Sequence, residues 1–438
     1  VNSLQREIQV NEKLPFGPGF LLSLQHLFAM FGSTVLVPNL FGVDPGMILL
    51  MNGIGTLLYI LICRGKIPAY LGSSFAFISP VLSVLDNYKG DHEHGYSLAL
   101  GAFIITGIIF VLIALIIRYA GTGWIDVVFP PAAMGAIVAT IGLELVPVAA
   151  QMAGLIAPNN APADWSPDPK TVALSMVTLG VTVIGAVLFR GFPKIIHILI
   201  GIVTGYVLAL ILKQVDTAAI SDASFLAAPT IVTPSFDWQV VFTIIPVSIV
   251  VIVEHIGHLL VTSNIVGKDL AKDPGLDRSL MGNGISTIIS GLVGSTPNTT
   301  YGENIGVMAL TKVYSIFVIG GAAIIAILLS FSGTFSSVIA NIPSAVMGGV
   351  SLLLFGVIAA SGLRIFVEQK VDFSKATNMI MASLVLVTGI SGAKLTFGEV
   401  ELKGMALATI VGMVLALFFK LIEVLGLSNE QEGEKSAH

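Results

Sequence analysis

The chain has 438 residues, 55% of them hydrophobic and only 11% charged, with a mean hydropathy of +0.94. Soluble domains carry about 25% charged residues, so this balance excludes a soluble enzyme and describes a polytopic, all-α membrane protein. The net charge of −5 says little, because charge sign matters loop by loop; no nucleic-acid partner is expected, and the single cysteine, Cys63, excludes an internal disulfide framework and gives no metal signature.

The first sixteen residues are polar and mixed, without a basic stretch followed by an apolar one, so no cleavable signal peptide is expected. The rest reads as about fourteen membrane elements, each needing roughly 20 apolar residues to span as a regular helix. They lie near 19–38, 45–63, 68–84, 97–117, 131–151, 171–189, 195–212, 239–262, 279–293, 297–310, 313–332, 343–363, 377–392 and 404–424. The third and tenth are short and rich in Gly, Pro, Ser and Thr, which weaken or end helices. Irregular backbone at membrane depth is tolerated only where protein or a cavity satisfies its polar groups.

With the N-terminus inside, sixteen of the 21 Lys and Arg fall in cytoplasmic segments, from Arg6 and Lys13 to Lys420 and Lys435. Only Lys89, Lys170, Lys213, Lys394 and Lys403 fall outside. This positive-inside bias supports an even number of spans with both ends cytoplasmic. The two broken elements stand seven apart, and a polar interruption, 216–237, follows the seventh element. Two equivalent halves with an odd number of spans face opposite ways, which predicts a 7+7 inverted repeat whose broken elements meet near the midplane.

Glu254 and Glu303 sit inside apolar stretches on the eighth and tenth elements. A carboxylate at membrane depth costs on the order of 3 kcal/mol even on insertion scales, and such residues mark substrate or ion pathways. His258 shares a helix face with Glu254 and is expected to bond to it; His255 is read as a packing residue, and His26 as structural or site-orienting. His255 and His258 are three apart with Glu254 before both, a spacing that fails the helical zinc pattern, so no metal is expected. Glu144, on the fifth element, is read as a structural or gate residue rather than a ligand. Asn298 and Thr299 are expected to satisfy the broken backbone. The segments 91–94 and 430–434 are read as solvated.

The run Glu303-Asn304, Gly306, Thr311-Lys312 resembles the signature of the nucleobase–ascorbate transporter family. The segments 23–32, 65–77, 129–135, 254–258, 294–303 and 347–354 resemble its bacterial uracil–proton symporters. The likeness covers nearly the whole chain, except the tails and the loops 156–170 and 214–236. It implies a core domain of elements 1–4 and 8–11 (residues 14–120 and 236–333) and a gate domain of elements 5–7 and 12–14 (124–214 and 340–425). It also implies short strands in elements 3 and 10, a homodimer formed through the gate, and residence in the bacterial inner membrane among lipid.

Carried over by position, the resemblance places uracil between the side chains of Glu254 and Glu303 and the backbone N–H groups of Phe75 and Gly302. His258 and Tyr301 line the same pocket, and either Phe75 or Tyr301 supplies a stacking ring. Two residues depart from the family pattern: Phe355 stands where a tyrosine is expected, and Ser33 where alanine is expected. Proton-coupled uracil import is the implied activity, with no cofactor. Withdrawal from water favours the neutral form of an acid, so Glu254 is assigned the coupling proton and His258 its tuning. The alternatives are a purine base such as xanthine, for which an amide is typical at position 303, and an anion channel or exchanger, in which the acids should be neutral or basic. No nucleophile–base pair or metal constellation suggests an enzyme.

Overall fold

The computed structural model describes residues 7–158, 161–397 and 400–428. The segment 430–434, Arg6 and Lys435 lie outside them. Each of the fourteen expected elements coincides with a helix or with a strand that runs into a helix. Among the described residues, eight helical spans are long and apolar enough to cross a membrane, including Phe16–Phe41, His92–Ala120, Trp238–Val266 and Ser344–Glu368. His197–Ile211, Ile316–Ser330 and Ala376–Ile390 are shorter apolar helices.

The ninth element, Leu276–Val293, is the least apolar of the long helices because lipid never wets its polar side. Ser279, Asn283, Ser286, Thr287 and Ser290 are all fully buried. Its small residues let backbones approach closely: a Cβ on Gly284 would sit 2.8 Å from the Gly107 carbonyl oxygen.

The packing repeats with a period of seven elements. The fourth element lies along the ninth as the eleventh lies along the second, and the first lies on the eleventh as the eighth lies on the fourth. The fifth and twelfth pack on each other. The sixth packs on the seventh and twelfth, as the thirteenth packs on the fourteenth and fifth. The two halves therefore share one fold in opposite orientations, and these contacts sort the helices into two groups.

The broken elements meet at strand β1 (Leu71–Ser73) and strand β2 (Asn298–Thr300), paired antiparallel with Gly72 opposite Thr299. Two three-residue strands cannot satisfy their own backbone, so neighbouring helices supply hydroxyls. The Leu71 N–H donates to Thr56 Oγ1 at 2.9 Å, and the Asn298 N–H donates to Thr287 Oγ1 at 3.3 Å. These two contacts are related by the repeat. Gly72 has to be glycine, since a Cβ there would fall 2.6 Å from the Tyr301 ring. A further hairpin, β3 (Lys394–Phe397) and β4 (Val400–Lys403), precedes the last helix and was not foreseen.

Several basic segments assigned to the cytoplasm converge on one end of the molecule. Lys66 pairs with Asp273 at 2.6 Å, Arg118 with Asp277 at 3.0 Å, and the Ile8 N–H donates to the Lys312 carbonyl at 2.9 Å. We predict that this end faces the cytoplasm. A reporter that fluoresces only there, fused behind Gly404–Val424, should be bright. A dark but well-expressed fusion would reverse the orientation.

Candidate substrate-binding site

After β1 and β2 the chain turns into helices in the same way. One capping residue, Ser74 or Tyr301, is followed by Phe75 or Gly302 as the first helical residue. Phe75–Phe77 continues directly into Ile78–Asn87, and Gly302–Thr311 forms the second helix. The first N–H groups of a helix have no partner within it, and with the helix dipole they attract acceptors and anions. The strand pairing brings two such N-termini to one place, related by the repeat.

Glu303 is the second residue of its helix, where the dipole favours a carboxylate. Glu254 comes from the eighth element and is half-buried; its Oε2 is buried and has no hydrogen-bond partner among the described residues. His258 lies one turn further on. The expected bond from His258 to Glu254 is not made: His258 Nδ1 meets Thr300 Oγ1 at 3.0 Å instead. Helix rotation turns the imidazole towards β2, and a Cβ on Gly302 would lie 3.5 Å from His258 Nε2.

Glu254, His258 and Gly302 line one cavity of about 90 Å³, together with Val138, Arg364 and Glu368 from the other helix group. Its far end is marked by the Arg364–Glu368 ion pair at 2.5 Å, on the side assigned to the cytoplasm. Glu303 adjoins Gly302 in sequence but does not form the cavity wall. Phe75 and Tyr301, the latter expected to line the pocket, do not form its wall either; their rings meet edge to face at 5.9 Å, and the Tyr301 hydroxyl donates to the Ser73 carbonyl. That bond ties the start of the second helix to β1.

Several contributors were hidden from the sequence. Thr300 holds His258, while Asn304 donates through Nδ2 to the His26 carbonyl at 2.9 Å and so fixes the first element against the tenth. Neither side chain satisfies the broken backbone as expected: Asn298 donates to Ser286 Oγ at 2.6 Å, and Thr299 Oγ1 is buried without a partner among the described residues. His255 turns away from the cavity, its Nε2 at 2.8 Å from Ser279 Oγ, which also meets the Tyr59 hydroxyl at 2.6 Å. Phe355 packs on Phe75 at 5.9 Å from the opposite helix group, and Ser33 donates to the Met30 carbonyl at 2.7 Å. Asp91 is exposed, as read, and also caps the helix His92–Ala120.

A model of the permease family matches residues 19–398. The chain belongs to this family, the nucleobase–ascorbate transporters. The permease is 60% identical to a uracil permease of Paenibacillus larvae over 97% of this chain and 99% of that one. It is 61% identical to the uracil permease of Escherichia coli K12, over 96% of both chains. The uracil permease of Bacillus subtilis is 47% identical over 90% of this chain and 91% of its own.

Among solved structures, the transmembrane domain of the cyanobacterium bicarbonate transporter BicA superposes with a TM-score of 0.64 at 13% identity, over 93% of this chain and 100% of that one. The murine anion transporter Slc26a9 in its inward-facing state gives 0.71 at 12% identity, over 94% of this chain and 69% of that one. Such low identities establish a common fold and nothing about substrate. With its family and its apolar helices, the permease is a multi-pass membrane protein.

Proposed function

We propose that the permease imports uracil with protons across the cell membrane by alternating access. Elements 1–4 and 8–11 (14–120 and 236–333) act as the core that carries the site. Elements 5–7 and 12–14 (124–214 and 340–425) act as the gate, through which two copies associate. The observation that carries the reading is Glu254, with a buried and unbonded oxygen, in one cavity wall with the helix N-terminus at Gly302. The names of the relatives at 60% and 61% identity support uracil as the substrate.

The chemistry fits a planar pyrimidine. Uracil's edge alternates N–H donors and carbonyl acceptors, so it asks for acceptors and donors in one plane. Ionised Glu254 and Glu303 only accept, and the Phe75 and Gly302 N–H groups only donate. Phe75 or Tyr301 offers a ring to stack on. Because uracil is neutral, its accumulation requires a coupled ion, and Glu254 is the group placed to take up and release a proton.

Competition for uptake tests the substrate. In cells lacking their own nucleobase carriers, excess unlabelled uracil should abolish uptake of labelled uracil, and xanthine should leave it intact. Stronger competition by xanthine would replace uracil with a purine base. A lack of any nucleobase uptake by expressed protein would overturn the reading.

A further inference from the structure

Glu144 takes no part in the site just described, yet its carboxylate joins the two helix groups. It sits in Pro131–Met152, in the gate. Oε1 accepts the hydroxyl of Ser79, on the third element of the core, at 2.7 Å. Oε2 accepts the N–H of Met405, in the first turn of Gly404–Val424, at 2.7 Å. The entry to that helix is shaped around the carboxylate: Gly404 has φ +54°, and a Cβ there would fall 2.1 Å from Oε1. Within the gate, Glu144 is therefore anchored by a backbone donor. Across the seam it holds a single hydroxyl.

The position of this contact gives it meaning. A cavity of about 510 Å³ enters the seam here, lined by Ser79, Glu144, Thr243, Val247 and Lys403. Its wall includes Lys403, assigned to the outer side, and none of the six candidate substrate residues. The substrate cavity enters the seam from the other end, past Arg364 and Glu368. The Phe75–Phe355 ring contact, which lines neither cavity, also joins core and gate. For the site to face outwards, core and gate must part at the Glu144 end, and the Ser79 bond must break.

We propose that Glu144 is an outer latch, holding the third element of the core to the gate and favouring the conformation whose site opens to the cytoplasm. The latch rests on the core-and-gate reading above and not on the identity of the substrate. Ser79 is the releasable side. Its loss leaves Glu144 with its Met405 anchor and removes only the bond across the seam.

The test uses Val247, which is buried to 1% exposure, lines the outer cavity and lies two turns before Glu254 on the same helix. A Val247→Cys reporter in a Cys63→Ser background is labelled from outside with a membrane-impermeant maleimide, with and without saturating uracil. Loss of a hydrogen bond to a charged group should raise the labelling rate about tenfold in Ser79→Ala. Ser79→Thr keeps the hydroxyl and should label at the parental rate. Uracil binding by purified Ser79→Ala checks that it folds.

A parental rate in Ser79→Ala overturns the latch, as does a Ser79→Thr rate as fast as that of Ser79→Ala. If the reporter responds to uracil while Ser79→Ala changes nothing, the latch alone is wrong. Labelling that ignores uracil in every variant removes the core-and-gate reading, and the latch with it.

Discussion

Glu303→Gln should weaken uracil binding by roughly 5- to 150-fold, corresponding to about 1–3 kcal/mol. The carboxylate lies in the first turn of Gly302–Thr311 and is proposed to accept a ring N–H of the substrate in a charge-assisted bond. The amide loses the charge and presents a donor of its own, which leaves a desolvated N–H poorly matched. For a ligand with so few polar atoms, one mismatch removes a large share of the affinity. Tyr301→Phe should cost less, because the ring contact with Phe75 survives and the loss is confined to the hydroxyl's bonds, such as that to Ser73. Calorimetry or scintillation-proximity binding on purified protein measures both, with uracil and xanthine in parallel. Unaltered uracil affinity in Glu303→Gln takes this residue out of the site.

Glu254→Gln should abolish accumulation of uracil driven by an imposed pH gradient in proteoliposomes. An amide of nearly the same shape can fill the cavity wall, but it cannot take up a proton on one side and release it on the other. Among the described residues Oε2 of Glu254 has no partner to lose, so the variant should fold and keep part of its binding. Gradient-driven accumulation at the parental level would move coupling elsewhere. His258 is the next group along the helix, and since its Nδ1 is engaged by Thr300, only Nε2 faces the cavity for that purpose.

The membrane elements were legible because the bilayer acts on local composition. A span must be apolar over a set length, and the expected 239–262 and 404–424 lie within or match the helices Trp238–Val266 and Gly404–Val424. The same rule exposed the third and tenth elements, where Gly, Pro, Ser and Thr forbid a regular helix, and it made Glu254 and Glu303 conspicuous as acids in apolar runs. The hairpin β3–β4 also left a trace, the alternation of polar and apolar residues from Lys394 to Thr396. That signal is too short to weigh against the membrane elements on either side.

Pairing across distance was a different matter. His258 bonds to Thr300 rather than Glu254, the strands are held by Thr56 and Thr287, and Glu144 meets Ser79 and Met405, 65 and 261 residues away. Each of these depends on how far a helix is rotated and how deep it lies. Neither quantity is set by the composition of the helix itself; both follow from packing against neighbours that the chain reaches only after several further crossings. The sequence by itself determined the number, order and breaks of the membrane elements and the acids placed among them, through the cost of bringing polar groups out of water. The tertiary structure decided which donor each acid meets, because a hydrogen bond needs its partner within about 3 Å.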